Sequence, residues 1–301
     1  MLVICLLASC AAAPSETYLQ VLGVAQDAGY PQSGCYKEHC QRAWQDQGLR
    51  RFVASLAYVD GVANKKYLFD ATPDMPEQLQ MLEANAADHQ VQLGGVFLTH
   101  GHMGHYTGLM HFGREAQGSE AVAVFALPRM REYLAQNGPW SQLVALGNIQ
   151  LHALLPSKPL QVNANLAVTA MLVPHRDEFT ETAGFLIQGP NKSALFIPDI
   201  DKWGQWETDI RVLLQQVDYA FLDATFFAAD ELPGRNMSEI PHPYVEESFE
   251  LFADLPAEDK AKIYFIHFNH TNPLLIDGSK AQQEVKDRGF HIAVQGMMLP
   301  M

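Results

Sequence analysis

The chain has 301 residues, 48% of them hydrophobic, enough to bury a full core in one large α/β domain or two small ones. Against 20 lysines and arginines stand 34 acidic side chains, a formal charge of −14, and no basic cluster interrupts that balance. Nucleic acid and anionic membrane surfaces ask for the opposite sign, so the folded domain is expected to bind neither.

The first ten residues, MLVICLLASC, are apolar, too short to span a bilayer, and end in the small residues of an export signal. Leu7-Ala8-Ser9-Cys10 resembles the bacterial lipoprotein cleavage box. That resemblance implies lipidation of Cys10, a tether to residue 17, and a place on the periplasmic side of a bacterial membrane. A cleaved signal or a buried first strand competes with it, and no Lys or Arg precedes the apolar run. Cys5 falls inside the signal.

No repeat or long linker follows, so residues 18–301 read as one domain. Alternation predicts a strand at 18–24 and a hairpin of 55–59 with 66–69 turning near Asp60-Gly61. Thr72-Pro73-Asp74 offers a cap, a first-turn proline and an acidic start to a helix reaching about residue 86, with Met75, Leu79 and Leu82 on one face. Strands are then expected at 95–99, 121–126, 149–154, 166–173, 184–188, 194–197, 219–222 and 262–266. Helices are expected at 106–116, 128–136, 207–216, 243–252 and 279–286. Hairpin-rich strands mixed with helices in both halves suggest sheets packed face to face beneath helices, an α/β (α+β) class.

The segment Thr99-His100-Gly101-His102-Met103-Gly104-His105 places three histidines where an apolar strand stops. His100 and His102, two apart on extended chain, leave the same side, and His105 sits on the turn into the next helix. Neutral imidazole is a favoured zinc ligand, and strand-end loops on a rigid scaffold can hold such ligands in place. The competing reading is a surface loop with chance histidines.

This segment resembles the metallo-β-lactamase superfamily motif His-x-His-x-Asp-His. Further strand-end signals follow the superfamily order: Asp70 in FDAT, His175 in LVPH, Asp199 in FIPD, and His267 with His270 in FIHFNH. A closer resemblance, to the pyrroloquinoline-quinone biosynthesis protein B branch, rests on GYPQSGCYKEHC (29–40), VPHRDEFTETAG (173–184), IPDIDKW (197–203), DATF (223–226), IPHP (240–243) and IHFNHTNP (266–273). The resemblance implies a four-layer αββα sandwich and a metal centre of His100, His102, His105, His175, Asp199 and His267. It implies zinc, one or two ions; iron or manganese would suit the same donor types.

Gly104 departs from the motif, which has an aspartate there as a ligand of the second metal. One metal is therefore expected to be firmly held by His100, His102 and His175, with a second weaker or absent. Asp199 is expected to bridge, hold a second cation and orient the attacking hydroxide, and Asp70 to fix a histidine tautomer or loop. His270 reads equally as an alternate ligand or a turn cap. Asp223 lines the site or caps a turn, and His242, between two prolines, is placed in loop packing ahead of substrate contact. Asp177, Glu178 and Glu181 are candidate acids or ordinary loop carboxylates. Trp203, Trp206, Arg235 and Asn236 are candidate pocket walls, though tryptophan on an apolar face more often joins a core. His111, His152 and His291 lack ligand spacing.

Cys35, His39 and Cys40 lack a fourth zinc ligand nearby, so a disulfide or free thiols are preferred there to a structural metal. The function expected is a metal-dependent hydrolase using activated water. An iron-dependent oxygenase of quinone-cofactor biosynthesis, or a non-catalytic carrier of a quinone-like cofactor, stands as alternative.

Overall fold

The structure is a computed structural model and describes residues 17–85 and 91–301. Cys10, the expected lipidation site, lies outside the described residues. The first half runs β1 (Thr17–Gly23), α1 (Glu38–Gln45), β2 (Ser55–Asp60), β3 (Lys65–Phe69), α2 (Met75–Asn85), β4 (Gln92–Phe97) and α3 (Met103–Tyr106). It continues through β5 (Val122–Ala126), α4 (Pro128–Gln136), α5 (Trp140–Ala145) and β6 (Ile149–Ala153). The second half runs β7 (Pro159–Asn163), β8 (Leu166–Val173), β9 (Thr182–Gln188), β10 (Ser193–Ile197), α6 (Ile210–Leu214) and β11 (Tyr219–Asp223). Then come α7 (Val245–Leu251), α8 (Ala257–Lys260), β12 (Ile263–Ile266), α9 (Lys280–Asp287), β13 (His291–Ile292) and β14 (Met298–Pro300).

The strands form two seven-stranded sheets, ordered β14-β1-β2-β3-β4-β5-β6 and β13-β12-β11-β10-β9-β8-β7. In each half the sheet begins antiparallel, β1 to β3 and β7 to β10. It finishes parallel, β3 to β6 and β10 to β13. A parallel neighbour is out of reach of a tight turn, so the chain must cross over, here through helices. Between the sheets lie Leu19, Val21, Phe69, Phe97, Phe185, Phe196 and Phe221, all buried. Phe69 stacks on Phe97 at 5.1 Å and meets Phe185 of the other sheet edge-on at 5.5 Å. Cutting one of these rings to alanine is expected to cost about 3–5 kcal/mol. The opposite face of the first sheet (Leu68, Val96, Val124) packs on Met75, Leu82, Met130, Leu134 and Leu143 from its helices. Helix, sheet, sheet and helix thus stack as the expected αββα sandwich.

Several helix bounds differ from the sequence reading. The run expected at 106–116 is α3 followed by a 3-10 segment, Thr107–Phe112. There Ala71 N donates to His105 O and Gly108 N to Ala71 O, both at 2.9 Å. Those groups serve the β3 exit and cannot extend an α-helix. Helix α2 starts at Met75, with Pro76 rather than Pro73 in its first turn. The Asp74 carboxylate accepts from Val53 N instead. Helices α1, α5 and α8 and edge strands β7, β13 and β14 were not anticipated, being short or bounded by proline.

The strands that feed the centre deliver their C-terminal ends to one edge of the sandwich. Asp70 follows β3, Thr99 to His105 follow β4, His175 follows β8, Asp199 follows β10, Asp223 ends β11 and His267 follows β12. Asp70 and His267 both take φ of 71°. A non-glycine residue in that left-handed region costs on the order of 1–3 kcal/mol, so the surrounding bonds hold both turns in place.

Candidate metal centre

The loop after β4 is fixed from below by Asp70. Its Oδ1 accepts from Thr99 N at 2.7 Å and from Thr99 Oγ1 at 2.9 Å, while Oδ2 faces His105 Nδ1 at 2.7 Å. The Thr99 hydroxyl, having donated to Asp70, accepts from His100 Nδ1 at 3.0 Å. The other rings are oriented in the same way. His175 Nδ1 meets Asp201 Oδ1 at 3.1 Å, and His267 Nδ1 meets Thr225 Oγ1 at 2.9 Å. Each contact fixes a tautomer and turns Nε2 toward the centre. His102 is turned the other way, with Nδ1 2.7 Å from His100 Nε2 and Nε2 3.4 Å from Glu178.

The free atoms converge in two donor groups that share Asp199. One comprises His100, His102, His175 and Asp199; the other Asp27, His105, Asp199 and His267, with all ligand atoms of a group within 4.8 Å of one another. His175 Nε2 lies 3.1 Å from Asp199 Oδ1, and His100 Nε2 lies 3.4 Å from Oδ2. His105 Nε2 is 3.0 Å from Asp27 Oδ1 and 3.7 Å from Asp199 Oδ2. Five of these atoms, Asp27 Oδ1, His105 Nε2, His175 Nε2, Asp199 Oδ1 and His267 Nε2, are buried without a hydrogen-bond partner. A buried unsatisfied polar atom costs about 1–3 kcal/mol, and five aimed at one another fit a cation between them. A metal passes that test.

Asp27 is the residue the sequence reading missed, and it supplies the carboxylate that Gly104 does not. It lies just beyond β1, where Gln26 N donates to Phe268 O and Phe268 N to Val24 O, both at 2.8 Å. This pairing sets Asp27 beside His267. A Cβ on Gly104 would fall 2.4 Å from Asp27 Oδ1 and 2.5 Å from its Cα. The glycine therefore makes room for a carboxylate arriving from another strand, and the second group has four donors. The available signal was a strand ending in Gln26-Asp27-Ala28-Gly29, the same strand-end aspartate as at Asp70.

Charge follows burial and neighbours. Burial, with His105 beside it, holds His100 well below the ordinary histidine value, and burial also lowers His102 and His267, so these rings are neutral with lone pairs available. Burial would lower His105 too, but the Asp70 and Asp27 carboxylates outweigh it and draw the ring well above the ordinary value. Burial would raise Asp199, yet the surrounding rings, His175 first, keep it well below the carboxylate range.

Other sequence candidates fall into place around this centre. His242 belongs to it rather than to loop packing: Nδ1 lies 2.9 Å from Asp223 Oδ2 and 3.3 Å from Asp199 Oδ1. Asp223 also accepts from Ile200 N and Thr225 N, so it orients His242 and ties two loops together. Burial lowers His242, but Asp223 and then Asp199 push it up to about 9. Asp177 and Glu181 engage Arg129 instead. Trp203 bonds Ser248 and Trp206 bonds Leu172 O, whereas Arg235 and Asn236 line a cavity of about 1030 Å3 beside His242. His111, His152 and His291 join none of the donor groups found among the described residues.

His270 is not a ligand of this centre. It completes a separate group with Cys35, His39 and Cys40, supplying the fourth donor that the sequence did not show. Both cysteines are buried free thiols, and Cys35 Sγ lies 3.3 Å from His39 Nε2, so no disulfide joins them. Two sulfurs and two imidazoles within 4.8 Å of one another form a zinc-type donor set.

The architecture agrees with the comparisons. A curated Coenzyme PQQ synthesis protein B of Klebsiella pneumoniae (strain 342) is 28% identical over 314 aligned residues, covering 94% of this chain and 98% of that protein. The crystal structure of Zn2+-bound PqqB from Methylobacterium extorquens superimposes with a TM-score of 0.78 at 22% identity, over 94% of this chain and 100% of that one. A diphosphatase from the PhnP family superimposes with a TM-score of 0.65 at 21% identity, over 95% and 97%. The family model for the β-lactamase superfamily domain matches residues 65–268, which run from β3 to the turn beyond His267 and hold every donor of the centre except Asp27. With that match over most of its length and this αββα sandwich, the chain belongs to the β-lactamase superfamily and has the metallo-β-lactamase fold.

Proposed function

We propose that this chain is a metal-dependent hydrolase acting on a small molecule, with zinc as its metal. The observation that carries the reading is the pair of four-donor groups joined through Asp199, five of whose buried ligand atoms have no hydrogen-bond partner. Zinc in such a setting lowers the pKa of bound water toward neutrality and polarises the bond under attack.

The chain's own residues supply the rest. Asp70, Thr99, Thr225 and Asp201 fix the ring tautomers so that lone pairs face inward. His242 is placed to hand a proton to the leaving group. Asp223 holds its Nδ1, and no described residue bonds its Nε2. Its wall position beside Thr225 opens on the cavity where a substrate would sit. A cation at Asp199 takes up part of the attraction on His242, leaving Asp223 as the group that keeps the ring basic. The cysteine group is assigned to a structural zinc.

Metal analysis of natively purified protein, followed by turnover of ester, lactam and phosphodiester probes, tests the reading. Zinc with turnover of at least one probe is expected. His242→Gln should keep the metal and lower kcat by about 100-fold or more, the usual share of general acid catalysis. Protein without any transition metal, or iron with oxygen consumption, would overturn the hydrolase and, in the second case, favour an oxygenase.

A further inference from the structure

The cavity beside the centre has a charge that the rest of the chain does not. Three of its lining side chains are cationic, Lys37, Arg176 and Arg235, and they come from three separate segments. This occurs in a protein with 20 basic and 34 acidic residues. The side chains of Lys37 and Arg235 make no hydrogen bond or ion pair with any described residue. Arg176 has only a loose contact, 3.9 Å from Glu178, with both partners about half exposed. On the same wall, Glu239 is engaged by Asn236 at 2.8 Å. Burial pushes the other acid, Glu231, up to about 7, so it is only partly ionised at neutral pH. Even with both carboxylates counted, the three cations exceed the two acids, so the wall is net positive, and a cleft of one sign concentrates ligands of the other.

The cavity also has direction. Arg176 directly follows the donor His175, and Thr225 and His242 border the metal centre. Lys37 lies toward His39 and His270 of the cysteine group, which line the same space. At about 1030 Å3 it exceeds what a lone inorganic anion needs and falls at the upper end of organic ligand sites. We propose that the cavity selects an organic anion, with a carboxylate or phosphate oxyanion, remote from the bond that is cut, paired to Lys37 and Arg235. Arg176 adds positive charge on the metal side. This rests on the hydrolase reading and names the substrate class for the same site.

The test is calorimetric titration of zinc-loaded protein with three small probes that lack a hydrolysable bond: phenylphosphonate, 3-phenylpropionate and the neutral 3-phenylpropionamide. At least one acid is expected to bind about tenfold or more tightly than the amide. In the double variant Lys37→Gln/Arg235→Gln that preference should fall by about tenfold, with zinc content and melting temperature unchanged. Comparison of phosphonate with carboxylate identifies the preferred oxyanion. Acids that bind no better than the amide, undetectable binding included, overturn the proposal, as does a double variant with undiminished preference. The hydrolase reading fails separately, through absent zinc-dependent turnover of the ester, lactam and phosphodiester probes, and that result leaves these affinities untouched.

Discussion

Replacing Gly104 by alanine removes no ligand, yet it is expected to cost the protein one metal. The added methyl carbon would lie 2.4 Å from Asp27 Oδ1 and 2.5 Å from Asp27 Cα, so backbone as well as carboxylate must give way. Asp27 Oδ1 is now 3.0 Å from His105 Nε2 and 4.0 Å from His267 Nε2, and a shift of an ångström takes it out of the group. A four-ligand zinc site is worth roughly 10–16 kcal/mol, so one ligand carries on the order of 3 kcal/mol, about a hundredfold in affinity. Gly104→Ala and Asp27→Ala should therefore each weaken the second metal by about that factor while sparing the first. The exchange Asp27→Gly/Gly104→Asp should restore it, because the carboxylate then arrives from the α3 side. Competitive titration against a chromophoric chelator, with elemental analysis for stoichiometry, reads all three. A Gly104→Ala protein that binds two ions in the centre with wild-type affinity would refute the reasoning.

Glu231 gives a prediction in pH. Burial raises it from 4.5 to about 7, against hydrogen bonds from Thr271, the Phe227 amide and Asn269. Stability owed to the protonated form is full below the ordinary value and lost as pH rises through 7, up to about 3 kcal/mol for such a shift. Urea unfolding at pH 5 and pH 8.5 should show Glu231→Gln gaining on wild type by about that amount at the higher pH; a constant gap contradicts it. Cys40→Ser should release one zinc equivalent and lower unfolding stability by about 3 kcal/mol, measured by elemental analysis and denaturant titration. Unchanged zinc content would remove the structural-site assignment. If Cys10 carries lipid, as its resemblance to a lipoprotein box implies, Cys10→Ala should move the protein from the membrane fraction to the soluble fraction of a bacterial host; continued sedimentation with membranes would dismiss a lipid anchor at that residue.

The parts of the centre that were legible are those written in one stretch of chain. His100, His102 and His105 declare themselves because a strand stops and three imidazoles follow, and Asp199 and His175 because each ends its own apolar run. Asp27 was not legible as a ligand, nor His270, read as an alternate ligand of the main centre or a turn cap, as the fourth donor of the cysteine group, for one physical reason. Each becomes a donor only through contacts between distant segments. The exit of β1 pairs with residue 268 to place Asp27, and α1 brings Cys35 to Cys40 against the turn after β12. Local periodicity carries no information on such encounters. Sheets packed face to face beneath helices were readable from hairpins and helices in both halves, and the four-layer αββα form from the family resemblance. The end of α3 was not, since backbone groups committed to Ala71 decide it.

Four consecutive residues, His267 to His270, reach into both donor groups, with Asn269 N tied to Thr225 O at 2.9 Å between them. So short a span cannot slacken at one end without disturbing the other. With both groups filled it behaves as a lever pinned twice. Chelation that strips the cysteine side first is then expected to misalign His267 before its own ion departs, so scarcity of metal would disable the centre in stages.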